Sequence, residues 1–207
     1  MRKILIALSF CLLALTSEAQ DNQVDSLKKL LANTTKPIER FNLIDKIQET
    51  INSGTGGIDS ALCIELLQIA QELKSDSLLA TSYNWIGTYF SLNKGENTTA
   101  LEYYFKALPL AEKTKNKRRI SSIYFDIALT YNNLQNNEDL LKYTRKGGEN
   151  LPDKSHPLYY YMLVQYQRNM ATYFILANRP DSALHFAQAL SETSQKAKSF
   201  LFEYQYF

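Results

Sequence analysis

Two histidines, one cysteine in the body of the chain and a cluster of glycines are the residues best suited to chemistry, and their spacing decides which chemistry is open to them. His156 lies in the turn-like stretch KSHPLY and His185 in the helical stretch SALHFA. A zinc site needs ligands a few residues apart in fixed pairs, and neither histidine stands in such a relation to Cys63. Both read as exposed or packed side chains. Cys63 sits among Ala61, Leu62, Ile64, Leu66 and Leu67, the setting of a small buried hydrophobe. The glycine-rich SGTGGID from Ser53 lacks the lysine and the preceding strand of a phosphate cradle, so it reads as a turn. A catalytic site needs a nucleophile, a base and an oriented partner in convergence. The sequence offers no such set, so no enzyme, cofactor or metal is expected. Of the 14 tyrosines, those clustered as Tyr159-Tyr160-Tyr161 suggest ring stacking on a ligand. Their helical spacing favours packing instead. The basic EKTKNKRRIS from Glu112 reads as a solvated segment.

The elements that must position these residues begin after a leader. Arg2 and Lys3 precede an apolar run from Ile4 to Leu15 and the small residues of Ser17-Glu18-Ala19, the form of a secretory signal peptide over 1–19. The run is too short to span a bilayer as a helix, so an exported, periplasmic or cell-envelope location is expected. Cleavage takes Lys+Arg from 23 to 21 and Asp+Glu from 21 to 20, leaving a net charge near +1. Such a balance gives no electrostatic case for nucleic acid or an anionic membrane. Cys63 is then without a partner, so stability must come from packing.

Only 7 Gly and 5 Pro occur, mostly between apolar segments of helical period, and the chain reads as all-α. Asp25-Ser26 is expected to cap an N-terminal helix within 20–36, and Pro37 to open the next. The tetrad DSAL occurs at Asp59 and again at Asp181, and weaker copies lie between. Ala61, Ala100, Leu140 and Ala183 step by 39, 40 and 43 residues. Ahead of the last three stand the markers Gly87, Ala128 and Ala171, each preceded by a bulky residue and followed three positions later by Phe90, Tyr131 or Phe174. Antiparallel helices approach closely only where a small side chain faces a large one, so fixed small positions imply nested hairpins.

This pattern resembles the tetratricopeptide repeat family, best in SYNWIGTYFSLNKGENTTALEYYFKAL. The resemblance covers four units over 37–198 and implies a right-handed α-solenoid of antiparallel helix pairs. Units of 39 to 43 residues exceed the classical 34, Gln167 stands where an aromatic belongs, and Leu140 replaces a small residue. Pro109 should kink its helix. Gly147-Gly148 should end theirs early, leaving ENLPDKSHP as a loop. The first helix of each unit should line a concave wall, with Asn42, Asp45 and Glu49 in the first unit. The expected ligand-binding set is Asn84, Thr88, Ser91, Phe125, Asn132, Arg168 and Thr172, with Arg168 as a carboxylate contact. The last residues, 199–207, read as the start of a further, truncated helix that exposes an apolar face, implying either continuation of the natural chain or self-association. With its leader and VDSLKKLL opening, the chain also looks like the exported tetratricopeptide regions of bacterial membrane signalling proteins. The resemblance implies a protein- or peptide-binding module for sensing or scaffolding. The alternative is a structural assembly subunit of an envelope complex.

Overall fold

The computed structural model describes residues 22–52 and 57–205, with side chains as far as 197. The expected leader at 1–19 and most of the SGTGGID turn lie outside the described residues. Among the described residues the regular structure is helical throughout, with no strand. In order the helices are α1 (22–33), α2 (Pro37–Asn52), α3 (Ser60–Glu72) and α4 (Asp76–Tyr89), which runs into a π-helical turn at Phe90–Lys94. They continue as α5 (Asn97–Lys113), α6 (Lys117–Asn133), α7 (Asn137–Glu149), α8 (Tyr159–Leu176) and α9 (Pro180–Gln205). The chain divides into two compact units, one ending at Ser75 and the other beginning at Asp76.

In the first unit α2 packs on α3. Phe41, Ile44 and Ile47, spaced three apart, meet Cys63, Leu66 and Ile69, all buried. Gln48 is fully buried between them. Its Nε2 donates to the Asp59 carbonyl at 2.8 Å and to Cys63 Sγ at 3.2 Å, and its Oε1 accepts from Asp59 N at 3.1 Å. Asp59 is thereby held where its own carboxylate caps α3, accepting from Ala61 N and Leu62 N. The second copy of the tetrad works differently, because Pro180 already opens α9 and Asp181 falls in its first turn. In α1, Leu27 and Leu31 are buried and Leu30 is exposed. Asp25-Ser26 lie inside that helix, already formed at residue 22, and do not cap it. The carbonyls of Leu31, in the last turn of α1, and of Thr34, just past its end, accept from Arg40 at 2.9 and 2.7 Å.

The second unit is an α-solenoid-like stack. The pairs α4–α5, α6–α7 and α8–α9 pack most closely, and α5–α6 and α7–α8 join one pair to the next. The first helices also touch directly, α4 with α6 and α6 with α8. Most connections are a residue in the left-handed region followed by the start of the next helix. Gly95, Lys115, Gln135 and Asn178 all have φ between 53° and 69°. Asn116 N, Asn136 N and Arg179 N return to the carbonyls of Ala111, Tyr131 and Phe174, five residues back, which satisfies the helix end. Asn116 and Asn136 then cap the following helices by accepting from Arg119 N and Asp139 N. After the wider π turn, Glu96 N reaches six residues back to Phe90 O.

Small positions face large ones as the spacing requires. A Cβ added at Gly87 would lie 2.6 Å from a ring carbon of Tyr104, which is fully enclosed. Each pair also carries one near-parallel ring contact: Phe90 on Tyr103, Tyr131 on Tyr143 and Phe174 on Phe186, with centroids 5.4 to 5.6 Å apart. The inner ring always stands three residues after the marker of the first helix, and the outer ring three after the marker of the second.

Two expectations change. Gly147 and Gly148 do not end α7, which runs to Glu149. They stay helical because rings occupy the space of their missing Cβ atoms, Phe125 at 2.4 Å and Tyr166 at 2.7 Å. Residues 199–205 do not open a separate helix but continue α9 without a turn, no proline or glycine interrupting them. Pro109 lies inside α5 at an exposed position.

Candidate functional site

The row of first helices in the second unit, α4, α6 and α8, brings polar side chains together across units. Asn84 on α4 is 3% exposed, and its Nδ2 donates to Asp126 Oδ2 on α6 at 2.9 Å. Asp126 stands in the apolar run YFDIAL because its stripe of α6 faces the neighbouring first helices, whereas Phe125 and Ile127 turn to the core. Burial pushes its carboxyl up to about 6, against the opposing influence of the Asn84 hydrogen bond and of the Arg119 and Arg168 guanidiniums. Tyr161, on the first turn of α8, is raised by burial and then by the Asp126 charge, against the opposing influence of Gln165. Arg168, exposed one turn along, donates through Nη2 to Gln165 Oε1. From below, Tyr104 on α5 is raised well above the usual phenol range by burial and by Asp126.

The expected wall residues are divided by this arrangement. Asn84, Arg168 and the half-buried Thr172 and Asn132 lie on the first helices as the spacing requires. Thr88 and Ser91 are buried. The Thr88 hydroxyl is committed inside the unit, donating to Asn84 O at 3.0 Å and accepting from Tyr104 at 3.4 Å. Phe125 is not a wall residue: it is 4% exposed and packed on Gly147, beside Ser121, whose Oγ donates to Gly147 O at 2.8 Å. At this one position of α6, Asp126 takes the place assigned to Phe125. A lone carboxylate between Phe125 and Ile127 was the signal, since an acid in an apolar stripe needs a partner on another element.

The other candidate groups are structural. His156 Nδ1 accepts from Leu158 N at 3.1 Å and closes the loop before α8, and His185 stands edge-on to Phe186. Burial, then the nearby Asp59 charge, pushes the Cys63 thiol up to about 12. Among the described residues no group of three or more His, Cys, Asp or Glu comes together as a metal site, and no helix is long and apolar enough to cross a membrane. A depression of about 430 Å³ between α2 and α3 is lined by Pro37, Arg40, Ile64, Glu65 and Glu72. Its cation, Arg40, pairs with Glu65 and holds the end of α1. No protein-family model matches the chain, and no curated protein matches it.

Proposed function

We propose that the second unit is a protein- or peptide-binding module of tetratricopeptide type, carried by an exported protein and used for sensing or scaffolding in signalling. The observation that carries this reading is the polar row on α4, α6 and α8. Asn84, Asp126, Gln165 and Arg168 are brought together by first helices that touch, while the second helices are not packed against one another comparably. Such packing turns the first helices to the inner side of the stack, where an extended segment can lie across all three. No reaction is assigned, and the mechanism is recognition by a preformed wall. Retention of an octapeptide library on the immobilised chain tests it. Arg168→Ala should weaken retained peptides roughly tenfold, the loss of one charge-assisted hydrogen bond. Lys142→Ala, on the exposed side of α7, should leave them unchanged. Equal binding by wild type and Arg168→Ala would move the site elsewhere.

A second reading, a structural assembly subunit of an envelope complex, is favoured by one observation. Leu92, Leu134 and Leu176 are exposed and stand 42 residues apart, each just past the marker of a first helix. Replacing all three by serine should release a stoichiometric partner if this reading holds. Peptide retention on the wall should survive that change.

A further inference from the structure

We propose that the floor of the groove, Asp126 beside the Asn84 amide, seats a primary ammonium group of the bound segment, a lysine side chain or an amino terminus. This rests on the groove being the binding site and adds the chemistry of what it takes.

The argument begins with the unmet needs of the floor. Asn84 must turn its Nδ2 to the Asp126 carboxylate, because the opposite orientation would set two acceptors together. Its Oδ1 is left enclosed without a hydrogen-bond partner. A buried amide oxygen in that state is costly, and it calls for a donor. Asp126 makes the same demand. The groups facing it are Asn84 from α4, Tyr104 from α5, Tyr161 and Arg168 from α8, and Arg119 from its own helix, while α7 meets α6 on the neighbouring stripe at Gly147. Arg168 is turned onto Gln165 in an exposed position where solvent screens it. Burial outweighs the influence of the Arg119 and Arg168 guanidiniums on the carboxylate.

Both needs are for N–H or O–H donors and one is for positive charge. A ligand carboxylate would add acceptors to a floor that already has one too many. A guanidinium brings the charge in a broad planar fork, whereas an ammonium is compact and carries three donors. Arg168 at the rim remains available to the carbonyl oxygens of the same segment. Because the ammonium pairs with ionised Asp126, affinity should fall as pH drops through 6.

The test uses octapeptides capped at both ends with Lys, Glu or Ala fixed at the centre, and a fourth Ala set with a free amino terminus. At pH 7.5 the Lys set, the free-amino set or both should be retained about tenfold over capped Ala. Retention of one set alone identifies the source of the ammonium. The preference should vanish in Asp126→Asn, persist in part in Asp126→Glu, and fall roughly tenfold at pH 5. Equal retention of Lys, free-amino and capped Ala sets, or a preference unchanged in Asp126→Asn, would overturn the proposal. Retention of the Glu set alone, lost in Arg168→Ala, would overturn it while leaving the groove reading intact. Failure of all four sets to be retained would remove the groove reading itself.

Discussion

At the scale of single residues, Asp126 is the position where folding and recognition make opposite demands. Burial pushes its carboxyl up to about 6 in the folded chain, from the ordinary aspartate value of 3.8 in the unfolded one. The folded state therefore binds more protons between those values, and stability should fall as pH rises from about 4 to about 6. Asp126→Asn keeps an acceptor for Asn84 and removes the buried charge. It should raise stability above pH 6 by at most about 3 kcal/mol and flatten that pH dependence, as denaturant titration at pH 5 and 7.5 would show. Gly87 carries the opposite kind of constraint. Alanine there gains helix propensity, but its Cβ would meet the Tyr104 ring and the Ala100 carbonyl. Gly87→Ala should thus cost about 1–3 kcal/mol, measured by urea unfolding. Gln48→Ala should cost about 1–3 kcal/mol, since it strands the Asp59 amide at the start of α3, while the Asp59 carbonyl keeps its bond from Cys63 N. Gly87 was legible from its place in the repeat, because size alone marks it. Asp126 was not, because Phe125 and Asp126 are adjacent, and each stands at a helical offset, four or three residues, before Leu129 on the same helix. Only the partner helices decide which of them faces α4.

At the scale of elements, the repeat is written in turns as much as in cores. Lys74, Lys115, Gln135 and Asn178 adopt a left-handed conformation in which a side chain is strained, and only Gly95 in this set is free of that cost. Gln135→Gly should therefore stabilise the chain by about 0.5–1 kcal/mol, visible as a higher unfolding midpoint with unchanged slope. The same substitution inside α6 would destabilise. The sequence showed where these turns fall, since polar residues interrupt the helical period there. It did not show that Gly147-Gly148 lies inside a helix. Two adjacent glycines usually signal an end, and only the rings of Phe125 and Tyr166 arriving from α6 and α8 explain why the helix continues. The stacked ring pairs were half legible: Phe90, Tyr131 and Phe174 follow their markers at a fixed offset, but their partners Tyr103, Tyr143 and Phe186 were hidden among other aromatics on the second helices.

At the scale of the second unit, bulky and small residues at matched places nest α4 to α9 into a stack, and the stack puts three first helices side by side. The wall is a consequence of packing, so the state of Asp126 reports on it. A carboxyl on an isolated helix would titrate with ordinary aspartates, whereas one half-buried on α6 beside Asn84 of α4 is held above them. The most direct measurement is carboxyl-carbon NMR titration of Asp126 together with the side-chain amide of Asn84. A shared midpoint near 6 is the predicted result, with Asn84 responding as the carboxyl protonates. A midpoint near the ordinary aspartate value of 3.8 with an indifferent Asn84 amide would contradict the packing of the first helices and, with it, the proposed groove.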